Sequence, residues 1–293
     1  MKPKGFFLHV GYAKAGSSLT GDWLEKNPAF CFSDFSIGGL RNTADLMHIA
    51  SKNVTEQPQY YVIRDMMFTI PRYDDGDFSK VGELKNYQKE VCNLLAALFP
   101  SAKVLIITRG YKSIISANYS QHVREGGTVK AENILKFSGF IQDLFDYSYL
   151  INLYKSAFGE KNIIVLPYEF LKDNSSSFFK KIEEELDLEH FNFTSKIVNP
   201  SLNPDEAQYF LKINSLVDFF ARNSGKPGKR LRDWYIKKRR REAFEEPSGK
   251  QVLQERTTNE PLIHVPEDLF LNLRKNSYLL KEYPIFNNYS SFY

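Results

Sequence analysis

The chain has 293 residues and a mass of 34.0 kDa, enough for one large domain or a core domain with a cap. Its 42% hydrophobic and 25% charged residues, with 24 Phe and 17 Tyr, exclude a chain that is disordered throughout. No apolar run reaches about 18 residues, so we expect no membrane-spanning helix, and the apolar stretch near the N-terminus is too short for a secretory signal. The two cysteines, Cys31 and Cys92, form no CxxC pair, which favours a reducing, cytoplasmic location.

The net charge of +4 conceals one strongly basic segment. Residues 226–241, KPGKRLRDWYIKKRRR, contain nine Lys or Arg and one Asp, a local charge of +8. The rest of the chain therefore carries 30 basic and 34 acidic residues and is net acidic. A single basic segment of this kind suits an anionic ligand, and it is equally compatible with a solvated helix face.

Short apolar runs alternate with helical patterns along the chain. Runs at 6–10, 60–63, 104–108 and 163–166 predict strands that are buried on both faces. Apolar spacing predicts helices at 91–98, 132–158 and 205–222. This alternation predicts an α/β fold with a central parallel sheet flanked by helices on both faces.

No internal repeat divides the sequence. The stretch at 223–230, NSGKPGKR, is typical of a loop, and the chain beyond about 243 has weaker periodicity. We therefore expect a single domain over 1–293, with a core at about 5–220. A basic loop or helix and a helical and irregular C-terminal extension would follow at about 221–293.

The first predicted strand runs into the loop Gly11–Ser18, GYAKAGSS, and then into a helical pattern. A strand, a glycine turn and a helix N-terminus favour an anion, because backbone N–H groups and the helix dipole converge there. The nucleoside-triphosphatase loop, G-x-x-x-x-G-K-[ST], has Lys after its second glycine, where this chain has Ser17. A phosphate is therefore expected here, and a triphosphate with magnesium is less favoured.

The third predicted strand ends in Arg109, directly before a helical pattern that starts at about Tyr111. Open parallel sheets bind ligands at the carboxyl ends of central strands, and the planar guanidinium binds two phosphate oxygens at once. An ordinary structural ion pair is the competing interpretation. Two anion sites on one sheet suit a nucleotide with phosphates at both ends of its ribose. ATP does not carry its phosphates in this arrangement.

These two motifs, K-x-G-[ST]-[ST] after a strand and strand–Arg–helix, resemble those of the sulfotransferases that use 3′-phosphoadenosine 5′-phosphosulfate (PAPS). The stretch 8–24 is most similar to bacterial members that act on saccharides or small molecules, as is NPSL at 199–202. The resemblance covers roughly residues 5–220. It implies that a sulfuryl group moves from PAPS to a hydroxyl or amine of a saccharide or small-molecule acceptor, releasing 3′-phosphoadenosine 5′-phosphate (PAP), without a metal.

The resemblance also implies roles for single residues. The 5′-phosphosulfate group would be bound by Lys14, Ala15, Gly16, Ser17 and Ser18, with Lys14 stabilising the leaving phosphate. The 3′-phosphate would be bound by Arg109 with a serine. The family's serine position is Ala117 here, so Ser116 and Ser113 are the substitutes. A late Lys/Arg–Gly loop of the family, which covers the 3′-phosphate, is similar to the segment that contains Gly228, Lys229 and Arg230.

A general base must accept the acceptor's proton. Asp65, at the end of the second predicted strand, is the first choice, and a helix-capping role for it is the alternative. Arg64 beside it is a further candidate sulfate contact. His9 is interpreted as a mid-strand, satisfied core histidine, and His122 is a weaker candidate base.

The acceptor's identity depends on loops at 33–58, 70–85 and parts of 224–265.

Two other functions compete with a sulfotransferase. One is an atypical P-loop kinase or other nucleotide enzyme. The other is a nucleic-acid-binding protein that uses 226–241, which we do not expect, because the segment lacks a recognisable nucleic-acid fold motif and the rest of the chain is acidic.

Overall fold

The computed structural model describes residues 4–34, 58–65, 68–71, 83–194, 201–245 and 261–293, with the side chains at 32–34 and 240–245 left out. Most of the predicted acceptor loops, 35–57 of 33–58 and 72–82 of 70–85, lie outside the described residues, as do 246–260 of the segment at 224–265 and residues 199–200.

A five-stranded parallel sheet forms the centre of the fold. Its strands are β1 Gly5–His9, β2 Phe30–Asp34, β3 Tyr60–Arg64, β4 Lys103–Thr108 and β5 Ile163–Pro167, in the order β2-β3-β1-β4-β5. The predicted α/β class and the four predicted strands are confirmed. Strand β2 was not predicted; it lies at the sheet edge, where FCFSD lacks the long apolar run of a central strand.

Helices connect and flank the strands. They are α1 Ser17–Lys26, α2 Leu84–Leu98, α3 Tyr111–Arg124, α4 Ala131–Leu135, α5 Ser138–Leu144, α6 Tyr147–Phe158, α7 Tyr168–Asp173, α8 Ser175–Leu186, α9 Pro204–Asn223, α10 Gly225–Glu245 and α11 Glu267–Lys275. Shorter 3₁₀ helices span Glu160–Asn162, Tyr278–Glu282 and Pro284–Phe292.

Two predictions about helices are wrong. The continuous helix expected over 132–158 is three helices, and Asp146 caps the last of them by accepting a hydrogen bond from the Tyr149 N–H. The loop expected at 223–230 is the start of α10, because Pro227 falls in the first turn, where a helix tolerates it. The helix predicted at 91–98 does end at Leu98, although it begins earlier, at Leu84.

Successive residues of β1 pack aromatic rings on opposite faces of the sheet. The Phe6 ring lies 4.6 Å from the ring of Phe99, directly after α2. The Phe7 ring lies 5.6 Å from Phe30, which in turn packs against Trp23 of α1. Trp23 also stacks on Phe179 of α8 at 4.7 Å. Helices thus cover both faces, as the apolar strands require.

The strand order places a topological switch between β1 and β4. These strands are hydrogen-bonded neighbours, with Leu8 paired to Val104. The chain leaves β1 toward the β2 edge and leaves β4 toward the β5 edge. Parallel sheets bind ligands beyond the carboxyl ends of strands at such a point. The residues after His9 and after Thr108 therefore mark the expected site.

The chain divides into two compact units. The first comprises Met1–Tyr111, Gly139–Ser195 and Asp268–Tyr293 and contains the whole sheet. The second comprises Lys112–Ser138 and Lys196–Glu267 and contains α9 and α10. Within the first unit the C-terminal residues pack on the core, with Phe286 and Tyr293 buried. The single domain expected over 1–293, with a core at about 5–220, stays a prediction.

Candidate functional site

The loop after β1 adopts an unusual backbone conformation. Lys14 has a φ of 67° and Gly16 a φ of 82°, both in the left-handed region. The Ala15 N–H donates to the Tyr12 carbonyl at 3.1 Å, which closes a tight turn and uses the Ala15 donor inside the loop. Helix α1 then begins at Ser17. It has no side-chain cap, so the N–H groups of its first turn point beyond its N-terminus without an intrahelical acceptor.

Gly16 is required by space as well as by conformation. A Cβ atom at this position would lie 2.4 Å from Leu171 Cδ2 and 3.1 Å from Tyr168 Cδ2, both on α7. The first contact is far shorter than two carbon atoms allow, the second is tight, and a side chain at this φ is strained. The helix that follows β5 therefore packs directly against the backbone of this loop.

Arg109 directly follows β4 and reaches the loop after β1. Its Nη1 donates to the Lys14 carbonyl at 2.5 Å. Its guanidinium also lies over the Tyr168 ring, 4.4 Å from the centroid, in a cation–π contact. Hence the structure brings the two predicted anion-binding segments together, and Tyr168 touches both.

Buried hydrogen bonds hold the turn after β4 in place. The Tyr147 hydroxyl donates to the Arg109 carbonyl, and Tyr147 is fully buried. The Glu169 carboxylate accepts from the Gly110 N–H at 2.9 Å and from the Tyr293 hydroxyl at 2.7 Å, and it is 6% exposed. Burial is the largest cause that raises the pKa of Tyr293, which keeps this phenol protonated as a donor.

The end of β3 is tied to α1. Arg64 Nη1 donates to the Ser17 carbonyl, and the guanidinium lies where a Cβ on Gly21 would collide with it. Asp65 comes next and is half-buried, and its carbonyl accepts from the Phe68 N–H at 3.3 Å. Since β3 is paired in parallel with β1, Asp65 lies at the same edge of the sheet as the Lys14 loop.

His9 differs from its interpretation as a satisfied, mid-strand histidine. It is the last residue of β1, is 2% exposed, and its Nδ1 has no hydrogen-bond partner among the described residues. Burial first, and then the charge of Arg64, lowers its pKa to about 3. The ring is therefore neutral at physiological pH, and its orphaned nitrogen is a cost in stability.

Other predicted residues lie in the second unit. Ser116 is buried, and its Oγ accepts from the Leu262 N–H at 2.8 Å, which leaves the hydroxyl proton to donate. His122 lies on α3, and burial lowers its pKa. Lys229 and Arg230 are exposed on helix α10, so this segment is a helix and not the loop that the resemblance implies. Gly228 instead lets the helices approach, since its Cβ would lie 2.5 Å from the Phe220 carbonyl oxygen.

The stretch 158–171 resembles the strand and following turn of the sulfotransferases, but the sequence-based predictions assigned no site role to the residues at the end of β5. Tyr168 and Glu169 are the first residues after β5, at the carboxyl edge where a ligand site was expected. Their position could have been found from that rule alone, but their contacts with Gly16 and Gly110 depend on tertiary packing. No local sequence pattern predicts that the Tyr293 hydroxyl donates to Glu169, because 124 residues separate the two.

Two features are absent from the described parts of the chain. Among those residues, no group of three or more His, Cys, Asp or Glu side chains is arranged to hold a metal ion. None of the helices described is long and apolar enough to cross a membrane. The expected lack of a metal and the expected cytoplasmic location stay predictions.

Comparisons with known proteins give a structural match only. No protein-family model matches the chain. No curated protein matches its sequence. A sulfotransferase from Alicyclobacillus acidocaldarius superposes with a TM-score of 0.50 and 15% identity, over 81% of this chain and 96% of that one. Mouse sulfotransferase SULT7A1, complexed with PAP, gives a TM-score of 0.39 and 16% identity, over 72% of this chain and 64% of that one.

The Alicyclobacillus match covers nearly all of that bacterial chain. At 15% identity such a likeness shows the fold and no more. The predicted resemblance to sulfotransferases is therefore confirmed at the level of architecture: the chain has the α/β fold, with a central parallel sheet, that a bacterial sulfotransferase also has.

Proposed function

We propose that this protein is a PAPS-dependent sulfotransferase that transfers a sulfuryl group to a hydroxyl or amine of a saccharide or small-molecule acceptor. The observation that carries the proposal is the contact between Arg109 and Lys14, which joins the two predicted anion-binding segments at one switch point of the sheet. The sulfotransferase fold supports it.

The loop after β1 suits the 5′-phosphosulfate end of PAPS. Gly16 lets a phosphate approach the backbone, and Ser17 and Ser18 begin α1 with donors that have no intrahelical partner. Lys14 adds a positive charge beside them. The Ala15 N–H is engaged with Tyr12, so we assign Ala15 a place in the turn and not a hydrogen bond to the phosphate.

Arg109 suits the 3′-phosphate. A guanidinium carries five N–H donors, and the bond to the Lys14 carbonyl uses one of them. Tyr168 stacks on the guanidinium plane and orients its edge. We propose that Ser116, or Ser113, donates a further hydrogen bond to this phosphate. The assignment of Lys229 and Arg230 to the nucleotide stays a prediction, and it no longer has the support of a covering loop.

The proposed reaction needs one proton transfer. The acceptor oxygen or nitrogen forms a bond to sulfur, the bond between sulfur and the 5′-phosphate oxygen breaks, and the acceptor's proton passes to a base. Asp65 is the proposed base, because it is a half-buried carboxylate at the carboxyl edge of β3. Lys14 would stabilise the negative charge that grows on the leaving phosphate.

Calorimetry distinguishes this proposal from an atypical kinase. We expect PAP to bind the protein more tightly than ATP with magnesium does. Incubation with PAPS and an acceptor library should then yield products whose mass increases by one sulfuryl group. Tighter binding of ATP with magnesium would contradict the proposal.

A further inference from the structure

A cavity lies among the C-terminal helices of the first unit. Its volume is about 500 Å³, which is within the range that small-molecule sites occupy. All the described residues that line it fall between Leu271 and Tyr293, in the segment that contains α11 and the 3₁₀ helices after it. We call it the C-terminal cavity. One continuous stretch of chain within one compact unit therefore builds it.

Three cations line the C-terminal cavity, and none of the described residues that line it is acidic. They are Arg274, Lys275 and Lys281, all exposed to solvent. None of the three pairs with a carboxylate of a described residue, and Glu282, beside Lys281, instead binds the Lys155 ammonium at 3.0 Å. A concave surface lined by one sign of charge concentrates ions of the opposite sign. The cavity therefore favours an anion.

The buried residues that line the cavity are apolar or aromatic for the most part. Leu280 is 2% exposed, and the buried rings of Phe286 and Tyr293 lie 5.3 Å apart, edge to face. Leu271 and Tyr278 also line the cavity but remain 49% and 56% exposed. A ligand that covers such side chains removes apolar surface from water, which is favourable. The favoured anion therefore carries an apolar body.

Other contacts prepare the cavity for an anionic group. The Arg274 guanidinium lies 5.7 Å from the centroid of the buried Phe270 ring, a cation–π contact that restrains a long side chain. Asn287 and Ser290 line the cavity as well and are exposed. Their amide and hydroxyl groups are neutral donors suited to the oxygens of a carboxylate or sulfonate.

Tyr293 borders both the cavity and the turn after β4. Its hydroxyl accepts a hydrogen bond from Thr108 Oγ1 at 3.0 Å and donates one to Glu169 at 2.7 Å. None of the residues predicted to bind the nucleotide is among the described residues that line the cavity. The cavity is thus distinct from the proposed nucleotide site.

We propose that the C-terminal cavity binds an aromatic organic anion, of the class of aryl sulfates, sulfonates and carboxylates. The anionic group interacts with Arg274 and Lys281, and the aromatic body packs on Leu280 and Phe286. An inorganic anion would use only the cations, and a neutral aromatic molecule would use only the apolar residues. This binding goes beyond the proposed sulfotransferase activity and does not require it.

Two fluorescent probes separate the contribution of the charge from that of the apolar body. 8-Anilinonaphthalene-1-sulfonate brightens when its rings leave water, and N-phenyl-1-naphthylamine is the same molecule without the sulfonate. We expect the sulfonate to bind the folded protein saturably. Arg274→Gln with Lys281→Gln should weaken its binding about tenfold or more, and that of the neutral amine less than about threefold, because only the sulfonate pairs with the cations.

Lys89→Gln with Lys180→Gln is the matched control for the charge. These lysines are exposed on α2 and α8 and lie outside the cavity, so the same change in net charge should leave binding of the sulfonate within about twofold.

A second pair of variants tests the space itself. Ser290→Trp puts a large ring at an exposed position that lines the cavity, and it should weaken both probes about tenfold or more. Ser291→Trp puts the same ring at the next position, which is exposed and is not among the lining residues. It should leave the binding of both probes unchanged.

Three results would overturn the proposal. One is an absence of saturable binding of the sulfonate to the unmodified protein. Another is equal weakening by each variant and its control, which would place the probe elsewhere. The third is displacement of the sulfonate by PAP that disappears in Arg109→Ala, which would assign the probe to the nucleotide site. A failure of PAP to bind, with binding of the sulfonate retained, would contradict the proposed function alone.

Discussion

The Arg109 guanidinium donates a hydrogen bond to the Lys14 carbonyl, although 95 residues separate them in the chain. One follows β4 and the other follows β1, and these strands are neighbours at the point where the sheet's connections diverge. The same bond that positions Arg109 also holds the loop in which Lys14 has a positive φ. This hydrogen bond thus links the two halves of the proposed nucleotide site directly.

Lys14→Ala tests the leaving-group role of the ammonium. Ala incurs a similar positive-φ cost to Lys, so the change removes the side chain and leaves the backbone and the Arg109 bond in place. We expect turnover to fall about 10²–10³-fold, as when a charge-stabilising donor is removed. PAP affinity should fall less than about tenfold. Full activity in steady-state sulfation assays would remove Lys14 from the mechanism.

Gly16→Ala tests whether the loop depends on close packing against α7. The new Cβ would lie 2.4 Å from Leu171 Cδ2 at a φ of 82°, so we expect a loss of more than about 2 kcal/mol in the free energy of unfolding. Urea denaturation measures it. In a Leu171→Ala background the cost of Gly16→Ala should be smaller, because one clash is gone.

Gly139→Ala is the matched control for that experiment. Gly139 lies on α5, has no positive φ, and has no atom within 4 Å of the position that a Cβ would take. Its substitution should leave stability unchanged or raise it by up to about 1 kcal/mol. Equal effects of the two substitutions on the free energy of unfolding would show that crowding at Gly16 does not affect stability.

Asp65→Asn tests the proposed base. The amide keeps the size of the carboxylate but cannot accept a proton, so we expect turnover to fall about 10²–10⁴-fold. PAP affinity should stay within about threefold of the unmodified protein, measured by calorimetry. Unchanged turnover would exclude Asp65 as the base. Loss of folding, seen by circular dichroism, would show that its role is structural.

His9 should make the fold sensitive to acid. Its pKa is about 3 in the folded chain against an ordinary value near 6.5, so the unfolded chain binds the proton first as pH falls. The free energy of unfolding is therefore insensitive to this ring above about pH 6.5, and it decreases as pH falls toward 3, by up to about 1.4 kcal/mol per pH unit. His122, whose pKa burial also lowers, acts in the same direction.

Urea midpoints between about pH 5 and 7 measure this slope. His9→Gln should reduce the dependence on pH, whatever it does to stability at neutral pH. The exposed His264→Gln is the control and should retain the original slope. An unchanged slope in His9→Gln would show that this histidine does not titrate on unfolding.

The strand ends were predictable from sequence, and much of what surrounds them was not. Buried parallel strands leave long apolar runs, so the positions of Lys14 and Arg109 at strand ends followed directly. Strand β2 leaves a weaker run because it lies at the edge. The segment at 223–230 has a composition typical of loops. Its Gly228 instead allows two helices to approach closely, which is visible only from its contact with the Phe220 carbonyl. Likewise, Tyr168 meets Gly16 and Arg109 only through the strand order.

The central claim is that two positive sites hold a nucleotide by phosphates at both ends of its ribose. Calorimetry of PAP and of adenosine 5′-phosphate, with the unmodified protein and with Arg109→Ala, tests it most directly. We expect Arg109→Ala to weaken PAP binding about 30-fold or more and adenosine 5′-phosphate binding far less, because only PAP carries the 3′-phosphate that Arg109 is proposed to bind, whereas loss of the bond to the Lys14 carbonyl affects both nucleotides. Equal weakening of both nucleotides, or of neither, would contradict the claim.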